Sequence, residues 1–202
     1  MNELIKRIID EEWAQFQLVT NQGGRACCQD DRRQFDIMRG SQFAVWPEEL
    51  LLSYYSDLMT ASIEGRNLIF NKYAYMMERT DPVGYESLKH VLPEISQERR
   101  AFMEPAVQIQ VLWAEDFARD YPNFAGRGRI IRTEDECGGL TSIETYQRGE
   151  LYSYGEETQL LYCEFVFRCG DEGKNLTYLV REQMAKMYGY ESVEDCERSI
   201  KC

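Results

Sequence analysis

Glu64-Gly65-Arg66-Asn67-Leu68 returns 108 residues later as Glu172-Gly173-Lys174-Asn175-Leu176. Glycine can end a helix in the left-handed conformation, and asparagine can cap the next one. The pentapeptide therefore predicts two antiparallel helices joined by a tight turn, written twice. Around it, Glu48-Glu49 returns as Glu156-Glu157, Leu52 as Leu160, Tyr54 as Tyr162 and Met76 as Met184, all at the same offset. Tyr85-Glu86-Ser87-Leu88 returns as Tyr190-Glu191-Ser192-Val193 after a slip of three residues. Upstream, Arg39-Gly40 pairs with Arg148-Gly149, Gly24-Arg25 with Gly126-Arg127, and Trp13-Ala14 with Trp113-Ala114, in order but with drifting offsets. Ordered landmarks around a gap-free block predict a tandem duplication, with the drift absorbed by loop insertions. Two unrelated helical hairpins sharing turn chemistry are the alternative.

Helical spacing marks the elements. Residues 3–19 carry Leu4, Ile8, Ile9, Trp13 and Phe16 on one stripe, and Asn21-Gln22-Gly23-Gly24-Arg25 stops it. A second helix runs from Asp30 or Asp31 to about Val45, and Trp46-Pro47 ends it. A third starts at Pro47 with Glu48-Glu49 in its positive first turn and reaches Ile63. A fourth runs from Leu68 to Arg79. The interval from His90 to about Gln97 is the expected joint. A long helix follows from Pro93 or Glu94 to Arg119, in which Pro105 kinks the chain or starts a fresh helix at Glu104. Tyr121 to Leu140 reads as irregular. Residues 142–153, 156–170, Asn175–Tyr188 and 192–200 complete the second half. Thr158–Phe167 is apolar enough for a strand, but its counterpart reads as helix. The fold class expected is all-α: one domain over 1–202, with halves of about 3–90 and 103–198 packed with pseudo-twofold symmetry.

Composition narrows function. The 202 residues are 44% hydrophobic and 12% aromatic, with 35 acidic and 23 basic side chains and a net charge of −12. Such a surface repels nucleic acid and anionic lipid, so neither is an expected partner. No apolar run is long enough to cross a membrane and no signal-peptide pattern is present, which makes a cytoplasmic location the expectation. The seven cysteines contain no CxxC pair, and reduced thiols are expected. One histidine, His90, leaves little room for histidine-based metal or triad chemistry. No metal and no cofactor is expected.

Against that charge, Gly126-Arg127-Gly128-Arg129, with Arg132 beyond, holds three arginines in seven residues and no acid. Gly23-Gly24-Arg25 is its counterpart, and Arg39 and Arg148 lie one helix later in each half. Guanidinium groups grip phosphate or carboxylate in bidentate fashion, and glycines expose backbone N–H groups. Converging across an axis, Arg25, Arg39, Arg127, Arg129 and Arg148 would form a site for a small anionic ligand, flanked by Trp13, Trp113 and Tyr146. The plainly structural reading pairs these arginines with Asp and Glu at helix ends. The tryptophans read equally as core. An enzyme would use Cys28 or Asp30 in the same cleft, although the neighbouring carboxylates oppose a reactive thiolate. Glu134, Asp135 and Glu136 beside Cys137 are an acidic loop cluster for a hard cation, without a ligand spacing rule. Glu48-Glu49 and Glu156-Glu157 read as helix-start electrostatics, and Glu11-Glu12 as a solvated edge.

Several of these stretches resemble one family. Trp13 with Phe16, Asn21-x-Gly23-Gly24-Arg25-Ala26-x-Cys28-Gln29-Asp30 and Phe35-x-Ile37-Met38-Arg39-x-Ser41-Gln42-Phe43 are similar to the bacterial family catalogued as domain of unknown function 4125. So are Gly126-Arg127-Gly128-Arg129 and Glu144-Thr145-Tyr146-x-Arg148-Gly149-Glu150-Leu151. The resemblance covers nearly the whole chain and implies no established activity. It implies association with a nucleotidyltransferase-like protein partner, for which the chain would be a docking or accessory module. The nucleotidyltransferase Gly-Ser motif with paired aspartates is itself missing from this sequence.

Overall fold

The computed structural model describes residues 2–20, 23–137 and 139–200, and among these it is all-helical, with no strand. Eleven α-helices follow in order: α1 (Glu3–Gln17), α2 (Arg32–Phe43), α3 (Glu48–Ile63), α4 (Leu68–Thr80), α5 (Pro82–Leu88), α6 (Gln97–Asp120), α7 (Pro122–Ala125), α8 (Ile143–Ser153), α9 (Glu156–Asp171), α10 (Leu176–Tyr188) and α11 (Val193–Ser199). Short 3-10 turns lie at Cys27–Asp30, Lys89–Val91 and Thr133–Asp135. The strand-like run Thr158–Phe167 lies inside α9, and α6 continues through Pro105 without a break. The stretch read as irregular after Tyr121 contains α7 and the turn at Thr133–Asp135. Asn21, Gln22 and Gly138, read as loop residues, lie outside the described residues.

Local chemistry sets the helix ends. Asn67 accepts the backbone N–H of Phe70 at 2.8 Å and Asn175 that of Tyr178 at 3.0 Å, so each caps its helix. Gly65 and Gly173 take φ of 71° and 66°. That left-handed residue brings Arg66 N–H to Ala61 O at 2.7 Å and Lys174 N–H to Cys169 O at 2.8 Å, closing α3 and α9 alike. The glutamate pairs occupy the first turns of α3 and α9, where no side chain caps the helix.

The two runs of four helices pack by the same pattern. α1 packs on α2, α3 and α4, and α6 packs on α8, α9 and α10. Between these two groups, α3 meets α9, α4 meets α8, and α2 meets α10. Ile5, Ile8 and Ile9 of α1, Leu50, Tyr54 and Leu58 of α3, Met103, Val107 and Val111 of α6, and Tyr162 and Val166 of α9 form one buried core. Each such aliphatic or aromatic side chain contributes about 1.5–3 kcal/mol by leaving water.

Similar hydrogen bonds tie the cap of α4 and α3 to α1, and the cap of α10 and α9 to α6. Asn67 Nδ2 donates to Gln15 O, and Asn175 Nδ2 to Trp113 O. Tyr54 OH donates to Glu12 at 2.5 Å, and Tyr162 OH to Gln110 at 2.8 Å.

α4 crosses tightly on α8 at Gly149. A Cβ there would stand 2.5 Å from Met76 Cγ and 2.8 Å from the Lys72 carbonyl oxygen. Since backbone cannot retreat as a side-chain tip can, Gly149→Ala must push the helices apart. An overpacking cost of about 1–3 kcal/mol is expected, read as a lower urea midpoint with an unchanged m-value.

Candidate functional site

Helices α2, α4, α8 and α10 enclose a cleft of about 820 Å³. Each contributes one face at helical spacing: Phe35, Met38, Arg39 and Gln42 from α2; Ile69, Lys72 and Tyr73 from α4; Ile143, Tyr146, Gln147 and Glu150 from α8; Thr177, Val180, Arg181 and Met184 from α10. Arg127, Gly128 and Arg129 of the loop after α7 line the same cleft.

Its deep wall is a buried ion network. Arg39 donates to both Glu12 oxygens at 2.6 and 2.7 Å and to Glu150 at 2.7 Å. Tyr54 and Tyr154 donate to Glu12 and Glu150. Lys72 Nζ lies 3.7 Å from Glu150 and donates to Tyr146 OH at 2.7 Å. Two cations face two carboxylates, so this wall is neutral overall. Burial by itself would raise the Glu150 carboxyl, but Arg39 and Lys72 outweigh it and hold the group down at about 2. Burial pushes the Tyr146 phenol up to about 12, so it is a neutral donor and acceptor at physiological pH. Glu12, read as solvent-facing, is fully buried: it points to Arg39 and Tyr54, and a buried charge demands such partners.

The rim is different. Arg127 and Arg129 are exposed there, and Arg129 stacks over the Tyr146 ring at 4.7 Å. Arg181 lies beneath them, packed against Phe117 and Phe124 at 5.9 and 5.4 Å. Burial pulls its guanidinium below the ordinary arginine value. Among the described residues no carboxylate is within ion-pair distance of Arg127, Arg129 or Arg181, whereas Arg25, Arg32, Arg39, Arg132 and Arg148 are all paired. Gly128 permits this approach: a Cβ on it would stand 3.2 Å from Arg181 Nη2.

The family model described as "Protein of unknown function (DUF4125)" matches residues 2–198. The chain belongs to this family. No curated protein and no solved structure is a significant match to it.

Of the residues in this DUF4125 chain that the sequence nominated, Arg39, Arg127, Arg129 and Tyr146 line the cleft. The others stand elsewhere. Arg25 is tied to Asp30 at 2.8 Å and to Gln17 and the Gln29 carbonyl. Arg148, two positions from Tyr146 on α8 and so on another face, binds Glu104 at 2.6 Å and Glu144 at 2.5 Å. Trp13 packs on Phe16 and Phe35 behind the cleft wall. Trp113 is packed against the main core. Cys28 is exposed and borders the cleft, while Asp30 is held by Arg25. Glu136 accepts from Ser142 at 2.7 and 2.8 Å, and among the described residues no group of three or more His, Cys, Asp or Glu is placed to hold a metal ion. No helix among them is long and apolar enough to cross a membrane.

Sequence reasoning missed Lys72, Glu150 and Arg181. The repeat offset read from the sequence sets Arg181 opposite Tyr73, which gave no hint of a cation there. The stripe Thr177, Val180, Met184 and Tyr188 that flanks Arg181 was the available signal, because it shares the cleft face with the arginine.

Proposed function

We propose that the cleft binds a small phosphate- or carboxylate-bearing ligand, with Arg127, Arg129 and Arg181 holding the anion. The observation that carries this reading is Arg181, a partly buried guanidinium without a carboxylate partner, lining the same cleft as two more arginines that lack one, in a chain of charge −12. Desolvating a cation is costly unless a counter-charge is provided, and a bound anion provides one. The cleft volume falls within the range of about 300–1,000 Å³ common to small-molecule sites.

The same proposal includes a duplicated four-helix unit arranged about a pseudo-twofold axis. Matching turns at Gly65-Arg66-Asn67 and Gly173-Lys174-Asn175, and a packing pattern unchanged when α1–α4 are exchanged for α6 and α8–α10, support it. On that reading the cleft sits on the axis, between the α2 and α4 helices and their counterparts.

A thermal-shift screen against inorganic phosphate, sugar phosphates, nucleotides and small carboxylates tests the proposal. At 100 times its Kd a ligand stabilises by about 2.7 kcal/mol, visible as a rise in melting temperature. Arg181→Met and Arg127→Ala are expected to lose that rise. Arg25→Ala, outside the cleft, is expected to keep it. No shift with any anion, from a folded protein, would transfer the weight to docking of a protein partner such as a nucleotidyltransferase-like one.

A further inference from the structure

Among the described residues two buried side-chain polar atoms lack a hydrogen-bond partner, Trp46 Nε1 and Gln147 Oε1. Both residues line the cleft. Trp46 is 6% exposed and is ringed by Phe43, Tyr54, Tyr154 and Tyr162, none of which takes its N–H. An unmet buried donor or acceptor is costly. Two of them on residues that line one cavity suit a ligand that offers an acceptor and a donor together.

The remaining walls say what shape carries those groups. Phe16, Phe35, Tyr73, Tyr146, Tyr188 and Tyr190 are among the residues that line the cleft. Flat π-faces match such walls, and arginine planes stack on them as well.

We infer that the ligand is a flat nitrogen heterocycle bearing a phosphate or carboxylate group, its ring meeting Trp46 and Gln147 and its anion meeting Arg127, Arg129 and Arg181. This rests on the anion-binding reading and adds the ring. A heterocycle edge supplies a ring acceptor and a ring or exocyclic N–H donor on one rigid frame, and the anion it carries meets the arginines.

Calorimetric titration of the full chain with uridine and guanosine 5′-monophosphates, orotate, ribose 5-phosphate and uridine tests it. At least one nucleotide, or orotate, is expected to bind ten-fold or more tightly than both ribose 5-phosphate and uridine. Orotate against the nucleotides separates carboxylate from phosphate. Trp46→Phe, which keeps a ring and removes the N–H, is expected to weaken the ring-bearing ligand about ten-fold and to leave ribose 5-phosphate unchanged. Gln147→Leu on the cleft wall repeats the test if Trp46→Phe does not fold. Ribose 5-phosphate binding as well as the nucleotides, with both lost in Arg181→Met, would overturn the ring and keep the anion site. Ring-ligand affinity indifferent to both substitutions would overturn the ring as well. Binding of none of the anions would overturn both.

Discussion

Glu12→Gln is expected to cost the fold about 3–5 kcal/mol, the range for breaking a buried ion pair from one side. The substitution keeps the shape of the side chain and removes its charge. Arg39, which donates to both Glu12 oxygens, and Lys72 would then face Glu150 alone, one buried cation in excess. Arg39→Met creates the opposite imbalance and should be destabilising for the same reason. The double variant, Glu12→Gln with Arg39→Met, leaves Lys72 facing Glu150 and restores neutrality. It should therefore lose less than the sum of the single losses, by about 0.5–3 kcal/mol, in urea unfolding followed by circular dichroism. Strict additivity would mean that the wall is not a coupled network.

Acid should weaken the protein through Glu150. Its folded-state value of about 2 lies below its ordinary value of 4.5. The unfolded chain takes up the proton first as pH falls, so the native state loses ground between pH 4.5 and 2. The stabilisation is complete above pH 4.5 and lost as pH drops through the folded value, with an upper bound on the order of 3 kcal/mol. Glu144 adds to the same window. Burial opposes its ionisation, but the Thr133 N–H, Arg148 and Gln108 prevail and hold it at about 2. Urea midpoints measured at pH 6, 4 and 3 should fall steeply. Glu150→Gln should start lower at pH 6 and fall less. An equal slope in the variant would show that Glu150 is not the group responsible.

What the sequence made legible was local. Helix ends at Gly65, Asn67, Gly173 and Asn175 could be read because glycine and asparagine act on their own backbone neighbourhood. The Gly-Arg loop could be read because Arg127, Gly128 and Arg129 are adjacent and stand out against an acidic chain. Pairings made in three dimensions could not. Glu11-Glu12 on an amphipathic helix looks solvated until α2 delivers Arg39 and α3 delivers Tyr54. Arg148 resembles Arg39 in its flanking residues, yet it turns to Glu104 and Glu144. Trp13 and Trp113 match in the sequence, but Trp13 packs on Phe16 and Phe35 while Trp113 packs against the main core. Arg181 is flagged in the sequence only by the stripe around it, and its packing on Phe117 and Phe124 comes from distant segments.

Tyr54 finds a carboxylate on α1, while Tyr162 finds the amide of Gln110 on α6. One side of the central core is thus charged and the other neutral. Only the charged side needs Arg39, and Arg39 in turn brings Glu150 and Lys72 to the cleft wall.

The most direct measurement is an anomalous difference map from crystals of the protein soaked in selenate, a tetrahedral anion whose selenium can be located without ambiguity. A peak within hydrogen-bonding reach of Arg181 and of Arg127 or Arg129, absent in Arg181→Met crystals, is the predicted result. Selenate found only on the outer surface, with that cluster of arginines empty, would contradict the anion site.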